Sequence, residues 1–510
     1  MKERIALIDI GSNTIRLVIF QLANNLDFRE IQNIKVPARL FQYLEDGVMR
    51  QEGIDCLCDI MDAFNHEAAI MKCDQILPKA TAAIRQSANV NDIIDQVKKR
   101  TGLTIDLVSG PMEAYYGFNA VIHTMADREA VTVDIGGGST EITYFKDKQI
   151  VHSHSFPFGA VTLQSLFFQG KAHNDKKAIK KTRAYIQAAF SDQPFMKDLK
   201  LPIIAIGGSA RNVARVHQAQ TGYTMGSLHN YVLAPDDLTK VLDYFGQVDA
   251  DQMDKVEGLN ADRADIIVPA SLVFTELVNF VQAPCFKFSN NGLREGILYQ
   301  YVQDRYPGAY DINQVATESV ERLADRYHFS MADGAQRMVI AQELAQAMID
   351  AGLLKLTDQE SELLRYGAYA YFLGKAIDPA AASQHSFYIL SNISLFGFSH
   401  QDQLALALVA SYKNKGLFKQ YSQTYPITFS SDQLKCLQHI GGIIKFAECL
   451  NDSHYNIVKD IKLVKKKGDY RLEIYYHGNL IAEPNKANNQ IKHIERIVGA
   501  DLAIDFIKAK

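Results

Sequence analysis

The chain has 510 residues, of which 47% are hydrophobic and 22% are charged, as in an ordinary globular protein. At about 100–200 residues per domain, this length indicates three or four domains. The net charge of −4 gives no global signal for a nucleic-acid partner, and no uncharged apolar stretch is long enough to span a bilayer. We therefore expect a protein with neither nucleic acid nor a membrane as its partner.

Six cysteines are scattered along the chain. Cys56 and Cys58 are separated by one residue and have no matching pair elsewhere, which is the spacing of neither a zinc site nor a redox motif. Charged residues surround the short apolar run near the N-terminus, unlike a signal peptide. The sequence thus predicts a cytoplasmic protein with reduced cysteines.

Residues 1–125 alternate between strand and helix patterns, which predict a first α/β half-domain. Its first two strands flank the turn Asp9-Ile10-Gly11-Ser12-Asn13-Thr14. Pro111 and Glu113 lie in a segment with the usual signals of a helix N-terminus. The apolar periodicities predict strands at 5–8, 15–20 and 104–108 and helices at 53–71, 90–100 and 109–123.

Residues 126–305 repeat this organisation and predict a second half-domain. Here the first two strands flank the turn Asp134-Ile135-Gly136-Gly137-Gly138-Ser139-Thr140. A later strand ends at Gly207-Gly208, where a helix begins. The predicted elements are strands at 131–133, 141–145, 202–206 and 286–289 and helices at 176–190 and 207–217.

The pattern changes after residue 305. Residues 306–455 carry helical periodicity with few strand signals and predict a helical domain. Residues 456–510 predict a small α/β domain, with strands at 460–465 and 470–477, a turn at Lys467-Gly468-Asp469 and a closing helix at 491–508. Taken singly, each basic cluster indicates a solvated face. The clusters are Lys176, Lys177, Lys180, Lys181 and Arg183; Lys413, Lys415 and Lys419; and Lys462, Lys465, Lys466 and Lys467.

The doublet of Asp-Ile-Gly turns is the strongest functional signal. Gly lets a ligand approach the main chain closely, successive N–H groups in such a turn form an anion-binding nest, and Ser and Asn add donors. The acids Asp9 and Asp134 would repel phosphate, so their natural role is to hold a hard divalent cation. One copy would resemble a plain hairpin turn. Two copies, 125 residues apart, predict a phosphate site between related half-domains.

The chain resembles the exopolyphosphatase/guanosine pentaphosphate phosphohydrolase family of the sugar kinase/heat-shock-70/actin superfamily. The resemblance covers the first 305 residues well and implies two actin-like, ribonuclease H-like half-domains around a cleft. An all-helical HD-like domain and a small α/β C-terminal domain would follow. The segments that carry it, in this order, are residues 9–14, Ala80-Thr81-Ala82-Ala83-Ile84-Arg85, Glu113-Ala114, residues 134–141, Phe158-Gly159-Ala160-Val161, Gly207-Gly208, Asp262-Arg263-Ala264-Asp265 and Leu293-Arg294-Glu295-Gly296.

The resemblance also implies roles for individual residues. Glu113 lies where the family has its catalytic base, which activates water, and Arg85 matches an arginine that faces the phosphate. Asp134 and Glu141 match acids implicated in Mg²⁺ binding, to which we add Asp9. In the superfamily, the position of Gly207-Gly208 holds the adenosine end of a nucleotide. The expected phosphate-binding residues are Gly11, Ser12, Asn13, Gly136, Gly137, Gly138, Ser139, Gly207 and Gly208.

The chain departs from the family pattern at two places. Where an HD-type phosphohydrolase has His-Asp, this chain has Tyr371-Phe372, and of the paired-histidine stretch only His385 and Ser386 remain. A lone His cannot hold a metal, so we expect this domain to be catalytically silent in the HD sense. The family's common Arg after Gly-Ala-Val is Thr162, which is expected to weaken one phosphate contact.

Several of these residues have plainer interpretations. Glu113, in a first helical turn, could only complement the helix dipole, and Arg85 could pair on the surface with an acid of the following helix. Arg294 and Glu295 are interpreted as a structural pair at a domain interface. For Glu113, the family resemblance favours the catalytic role.

Together these residues predict a magnesium-dependent exopolyphosphatase that removes terminal phosphate from inorganic polyphosphate. A carboxylate base, a Lewis-acid cation and positioned donors are the parts this reaction needs. The alternatives are guanosine pentaphosphate hydrolysis at the same site, a non-catalytic polyphosphate or nucleotide sensor, and a superfamily kinase. The resemblance implies a homodimer. We also hypothesise that lysines of the last 200 residues line a passage for a polyanionic chain, so that affinity depends strongly on salt.

Overall fold

The computed structural model describes residues 3–466 and 469–509. These residues form two compact units: the described parts of Met1–Gly222 and Leu228–Asn313, and the described parts of Tyr223–Ser227 and Gln314–Lys510. The domain boundaries drawn from sequence at 125, 305 and 455 stay predictions. Within the described residues, no helix combines the length and the apolar character needed to cross a membrane, and all six cysteines have free thiols.

The first unit is an α/β structure. Its strands are β1 (Glu3–Ile10), β2 (Ile15–Leu22), β3 (Phe28–Val36), β4 (Leu44–Glu45), β5 (Val48–Met49), β6 (Gln75–Ala80), β7 (Asp106–Leu107), β8 (Glu129–Ile135), β9 (Thr140–Lys146), β10 (Gln149–Phe156), β11 (Ile203–Ile206), β12 (Val232–Leu233) and β13 (Phe286–Phe288). Its helices are α1 (Gln51–Ile70), α2 (Ala82–Arg85), α3 (Val90–Thr101), α4 (Gly110–Ile122), α5 (Ala160–Leu163), α6 (Lys176–Ser191), α7 (Gly207–Thr221), α8 (Pro235–Gln247), α9 (Ile267–Val281) and α10 (Leu293–Arg305).

Two sheets of matching design organise this unit. Their strand orders are β3-β2-β1-β6-β7 and β10-β9-β8-β11-β13-β12. Each begins with three antiparallel strands, and a parallel strand then joins the first of them: β6 beside β1, and β11 beside β8. Asp9 pairs with Arg16 across the first hairpin as Asp134 pairs with Glu141 across the second. The two Asp-Ile-Gly turns therefore occupy equivalent positions, and the predicted fold class is confirmed.

The first sheet is covered by helices on both faces. Ala6, Ile8 and Ile10 of β1 belong to a buried cluster that includes residues of α1 and α3. Ile5 and Leu7, which alternate with them, pack with residues of α10. Because successive strand residues point to opposite faces, the continuous apolar run of β1 is what a sheet buried on both sides requires.

The crossing of α4 and α10 depends on one glycine. A Cβ at Gly296 would overlap the backbone carbonyl oxygen of Tyr116, and the Asn119 side chain also donates to the Gly296 carbonyl (3.0 Å). The backbones of the two helices are thus in direct contact, which fixes the helix whose first turn carries Glu113.

Gly296→Ala is expected to lower the free energy of unfolding by about 3 kcal/mol, because a methyl group must force two packed backbones apart. Gly246→Ala, inside α8, is the matched control: apart from its chain neighbours and the backbone of its own helix, no atom of the described residues would lie within 4 Å of its Cβ. That change should stabilise by about 0.5–1 kcal/mol. Urea unfolding followed by circular dichroism measures both, and equal effects would contradict the close crossing.

The second unit contains helices and one small sheet. Its elements are α11 (Val315–Glu321), α12 (Leu323–Tyr327), α13 (Met331–Asp350), α14 (Asp358–Tyr369), α15 (Ala382–Asn392), α16 (His400–Ala410), α17 (Lys415–Tyr421), α18 (Ser431–Cys449), β14 (Val458–Lys466), β15 (Asp469–Tyr476), α19 (Glu483–Gln490), α20 (Lys492–Val498) and β16 (Ala503–Lys508). One large apolar cluster joins the helices to β14 and β15.

The closing helix predicted at 491–508 is wrong in its second half. Helix α20 ends at Val498, and Gly499 adopts a φ of 76°. Glycine takes this left-handed conformation at little cost and ends the helix. Residues of β16 then pair in parallel with β15. Of the turn predicted at 467–469, Lys467 and Gly468 lie outside the described residues.

Several lysines and arginines of the basic clusters are already paired. Lys462 contacts Asp460 (3.2 Å) and Lys466 contacts Glu473 (2.6 Å) on β14 and β15, while Arg183 of α6 pairs with the buried Glu276 of α9. Lys467 lies outside the described residues. These pairs agree with a solvated or structural role for each cluster taken singly.

A half-buried carboxylate links two helices of the second unit to the turn after α14. Glu448 of α18 accepts hydrogen bonds from Arg337 Nε of α13 (2.6 Å) and from Lys375 Nζ (2.8 Å). Burial raises the pKa of Glu448, but the charges of Arg337 and Lys375 outweigh it and lower that pKa to about 2. The carboxylate is therefore ionised across the whole physiological range.

Glu448→Gln is expected to lower the free energy of unfolding at pH 7 by about 3 kcal/mol, from about 1.4 kcal/mol per unit of pKa difference between folded and unfolded chain. Because the folded-state pKa is depressed, this contribution is complete above the unfolded value near 4.5 and is lost as pH falls through about 2.

Urea unfolding of Glu448→Gln and of the unmodified protein between pH 7 and pH 3 tests the direction of this pH dependence. The difference between their free energies of unfolding should shrink as pH falls. Glu362→Gln is the control, since that exposed carboxylate pairs with Arg365 only at the surface, and such a pair contributes about 0–1 kcal/mol. A difference that does not change with pH would contradict the electrostatic origin.

Candidate active site

The two Asp-Ile-Gly turns close in the same way. In the first, the Gly11 N–H donates to the Thr14 carbonyl (3.1 Å); in the second, the Gly136 N–H donates to the Ser139 carbonyl (3.0 Å). Each bond folds the chain back at the carboxyl end of a sheet's first strand, so both turns have the tight geometry that the small residues predict.

The structure brings the two turns into contact. A Cβ at Gly137 would lie 3.0 Å from Ser12 Cβ, and a Cβ at Gly138 would lie 3.4 Å from Ser12 Oγ and 3.3 Å from Ala82 Cβ. The second turn thus packs against the first turn and against the start of α2. Larger side chains at Gly137 and Gly138 would have to displace these neighbours.

The segment Phe158-Gly159-Ala160-Val161 packs against the second turn and is hydrogen-bonded to its carbonyl groups. The N–H groups of Ala160 and Val161 donate to the carbonyls of Gly136 and Gly137 (3.0 Å each), and a Cβ at Gly159 would lie 2.5 Å from the Gly136 carbonyl oxygen. Thr162, at the place of the family's Arg, donates to the Gly137 carbonyl (3.5 Å). Its short side chain contacts the turn itself.

Glu113 and Arg85 form an ion pair beside the turns. Ser109 Oγ accepts from the Met112 N–H (3.3 Å) and caps α4, so Glu113 falls in the first turn of this helix. Arg85 Nη1, at the end of α2, donates to Glu113 Oε2 (2.9 Å) and to the Val108 carbonyl (2.5 Å). The alternative pairing of Arg85 with an acid of the following helix, Asp92 or Asp95 of α3, is therefore wrong.

Burial dominates the protonation of the two glutamates. It raises the pKa of Glu113 to about 7, with Arg85 opposing the rise and the charges of Asp134 and Asp9 adding to it. Burial and the nearby Glu113 raise the pKa of Glu141 well above its usual range. Ser155 Oγ donates to Glu141 Oε1 (2.8 Å). Since a general base works best with a pKa near the working pH, Glu113 has the more suitable value.

The third glycine turn lies against Asp134. Gly207 has a φ of +87°, and a Cβ there would overlap Asp134 Oδ1; a Cβ at Gly208 would lie 2.8 Å from Arg263 Nη2. Burial raises the pKa of Asp134 to about 6, although Arg211, Arg263 and Arg294 lower it. Burial likewise raises the pKa of Asp9. Gly207-Gly208 therefore belongs to the same site as the two hairpin turns.

Four arginines at this site were not assigned to it from the sequence: Arg16, Arg211, Arg263 and Arg294. Their charges act on the pKa of Asp9, of Asp134 or of both, and burial lowers the pKa of Arg211 to about 10. For two of them the available signal was position, because Arg211 lies about one helical turn beyond Gly208 and Arg16 is the register partner of Asp9.

Arg294 and Glu295 are not the structural pair that the sequence suggested. Arg294 Nε lies 3.8 Å from Asp9 Oδ2, and its buried Nη1 donates no hydrogen bond within the described residues. Glu295 Oε2 instead accepts from the Gly292 N–H (2.8 Å) at the start of α10. A buried guanidinium nitrogen without an acceptor is suited to an anionic ligand.

The carboxylates of the site offer the hard oxygen ligands that Mg²⁺ prefers. Within the described residues, no three His, Cys, Asp or Glu side chains converge closely enough to hold a metal by themselves. Mg²⁺, however, usually keeps several waters and uses one or two carboxylates together with substrate phosphates. Burial is the main cause of the raised pKa of Asp134, and the charge of Asp9 raises it further. A cation between the two acids would relieve their repulsion. The donor set fits.

The actin-like fold and the match to a family model together define the class of protein, a hydrolase of phosphoric anhydrides. Residues 18–305 match the Ppx/GppA phosphatase family, and residues 315–484 match domain III of Ppx/GppA phosphatases. The chain belongs to the Ppx/GppA phosphatase family, which confirms both the predicted family and the predicted class of enzyme.

The relatives carry two different names. A guanosine-5'-triphosphate,3'-diphosphate pyrophosphatase of Pseudoalteromonas translucida (strain TAC 125) is 24% identical over 426 residues, which are 82% of this chain and 82% of that protein. Exopolyphosphatase 1 of Mycobacterium tuberculosis (strain ATCC 25618 / H37Rv) is 24% identical over 312 residues, 60% of this chain and 90% of that one.

Solved structures share the fold of the first unit. The crystal structure of the Aquifex aeolicus family member has a TM-score of 0.53 at 24% identity and covers 60% of this chain and 99% of that one. An exopolyphosphatase from Cytophaga hutchinsonii has a TM-score of 0.55 at 22% identity and covers 59% of this chain and 98% of that one.

Proposed function

We propose that this protein is a magnesium-dependent exopolyphosphatase that hydrolyses the terminal phosphate of inorganic polyphosphate. The observation that carries the proposal is the contact between the turns: Gly137 and Gly138 pack on Ser12 beside the Glu113–Arg85 pair. The small-residue turns of the two half-domains thus meet next to a carboxylate whose pKa burial raises to about 7.

Glu113 is the proposed base. A carboxylate with a pKa near the working pH takes a proton from water efficiently once ionised, and such help contributes about 10²–10⁴-fold to the rate. Arg85 holds Glu113 in place through Nη1. Its positive charge also favours a terminal phosphate close to the carboxylate. The backbone N–H groups of the two turns would orient that phosphate for in-line attack.

Asp9, Asp134 and Glu141 are the proposed magnesium residues. When bound, Mg²⁺ supplies Lewis-acid stabilisation of charge on phosphate oxygens. Ser155 donates to Glu141 Oε1 and so directs that carboxylate. Gly207 leaves room for the Asp134 carboxylate, because any side chain there would overlap it.

The four arginines support a substrate with several adjacent phosphates. A single phosphate carries about two negative charges at neutral pH, whereas Arg16, Arg211, Arg263 and Arg294 together carry four positive ones, and a bound Mg²⁺ would offset the charges of Asp9 and Asp134. Arg211 remains positively charged at neutral pH, although burial lowers its pKa to about 10. Partly desolvated guanidinium groups are the residues best suited to bidentate phosphate contacts.

Hydrolysis of guanosine pentaphosphate at the same site is the second candidate. It is favoured by the relative named for a guanosine pentaphosphate activity, whose alignment extends over 82% of this chain. The two candidates share the turns, Glu113 and the arginines, so these residues do not discriminate between them.

Phosphate release from each substrate, at equal concentration of terminal phosphate and with Mg²⁺ present, tests the proposal. A higher kcat/KM for polyphosphate supports the exopolyphosphatase, and a higher value for guanosine pentaphosphate supports the second candidate. Binding of either compound without turnover would indicate a sensor, and phosphate transfer to an added alcohol would indicate a kinase.

The proposal includes a cytoplasmic homodimer. The six free thiols are typical of a reducing compartment, and the dimer is inferred from the family resemblance alone. It also includes a lysine-lined passage for long chains. Counterion release would then make long-chain affinity fall steeply with salt, and a flat salt dependence would contradict the passage.

A further inference from the structure

The second unit contains a cavity of about 270 Å³ at the place of the missing His-Asp pair. Tyr371 and Phe372, which replace that pair, line it together with residues before and within the start of α13 and with His454. The rings of Tyr371 and Phe372 stack on each other, with their centroids 4.1 Å apart and an angle of 10° between their planes. The two residues that stand in place of the expected His-Asp pair thus give the cavity an aromatic wall.

Two cations reach this cavity from one side. Arg337 and Lys375 both line it, and Glu448 behind them neutralises only one of the two positive charges. Arg337 Nε and Nη1 are bonded to Glu448 and to the Ala368 carbonyl, while Nη2 makes no hydrogen bond within the described residues. This wall therefore presents one excess positive charge and an available guanidinium donor.

The remaining lining offers ring surfaces and an acceptor. Tyr327 and Phe329 add two more aromatic side chains. Asp333 lies 3.2 Å from His454 Nδ1, and its second carboxylate oxygen can accept from an N–H of a ligand. An apolar, aromatic lining with a few fixed polar groups is the usual composition of a small-molecule site.

Three residues that line the cavity have left-handed backbone. His328, Phe372 and His454 have φ values of 54°, 53° and 59°. For a bulky residue such as Phe372 this conformation is unfavourable and must be held by its surroundings. Strained residues of this kind concentrate at ligand sites and switches.

We propose that this cavity binds a small anion that carries a flat ring, of the chemical class of a nucleoside monophosphate. Its phosphate contacts Arg337 and Lys375, its base packs on the aromatic side chains, and Asp333 accepts from the base. The cavity volume of about 270 Å³ lies just below the usual range of small-molecule pockets, about 300–1,000 Å³, and favours a small ligand. The inference does not depend on the reaction proposed for the first unit.

Isothermal titration of the full chain with AMP, GMP, CMP and UMP tests the proposal. At least one of these nucleotides should bind with a Kd of about 1 mM or lower. Ala376→Trp places a large ring at the lining, and Lys375→Met removes one cation; each should weaken binding by about tenfold or more. Ala380→Trp, at an exposed position outside the lining, and Lys355→Met, an exposed lysine outside it, are the matched controls.

Ribose 5-phosphate and the free nucleoside separate the two halves of the proposal, and both should bind more weakly than the monophosphate. Equal binding of ribose 5-phosphate would overturn the role of the ring. Absence of any binding, or binding that Ala376→Trp and Lys375→Met leave unchanged, would overturn the site. In the latter case the nucleotide would bind elsewhere in the chain.

Discussion

Glu113→Gln is expected to lower kcat for phosphate release by about 10²–10⁴-fold, the usual contribution of a general base. The glutamine side chain has nearly the shape of the native one and can still accept from Arg85 Nη1, which lies 2.9 Å from Glu113 Oε2. It cannot take a proton from water. KM should change little, since the two turns that we propose to bind phosphate are untouched.

The first-turn position of Glu113 provides a matched control. Glu52 is also an acid in the first turn of a helix, α1, and its side chain is exposed. If Glu113 only complemented a helix dipole, both Glu→Gln changes would alter stability by about 0.3–1 kcal/mol and neither would affect kcat. Equal phosphate release by Glu113→Gln and the unmodified enzyme would remove Glu113 from the mechanism.

Asp134→Asn is expected to lower kcat/KM by about 10²–10³-fold, the range observed when one electrostatic element of a preorganised site is lost. The change removes a carboxylate that burial and the neighbouring Asp9 keep at a raised pKa. It also removes a charge that repels phosphate. Apparent affinity for substrate without magnesium should therefore rise or stay constant, while turnover falls.

Initial rates measured against Mg²⁺ concentration distinguish a cation-binding role from a structural one. The concentration for half-maximal rate should be higher for Asp134→Asn than for the unmodified enzyme, and chelation should abolish the activity of both. Asp147→Asn is the control, because Asp147 is an exposed acid of the same half-domain that pairs with Arg128. An unchanged magnesium dependence with reduced stability would assign Asp134 a structural role.

Local signals were sufficient for much of the first unit. A turn closed by its own hydrogen bond, such as Gly11 to Thr14, depends on residues within a few positions, and small residues report it directly. The cap of α4 at Ser109 is equally local. The C-terminal strand β16 shows the limit, since its pairing with β15 is a tertiary contact that helical periodicity does not contain.

The site residues also divide into those that the sequence indicates and those that only the tertiary structure reveals. Asp9, Asp134 and the two hairpin turns could be identified from the sequence because their pattern is repeated. Glu113 and Arg85 were identified through the family resemblance. Arg263 and Arg294 stood in segments that the resemblance quoted, yet nothing local distinguishes a buried guanidinium from a surface one. Only the folded chain brings Arg294 Nε to 3.8 Å from Asp9 Oδ2.

The sequence by itself determined that the chain contains two equivalent strand–turn–strand units with tight small-residue turns, because backbone conformation and small side chains are properties of consecutive residues. The tertiary structure alone decided that these turns touch, that four arginines surround two acids, and that burial raises the pKa of Glu113 to about 7. Desolvation and charge–charge interaction depend on distance in space, and residues far apart in sequence supply both.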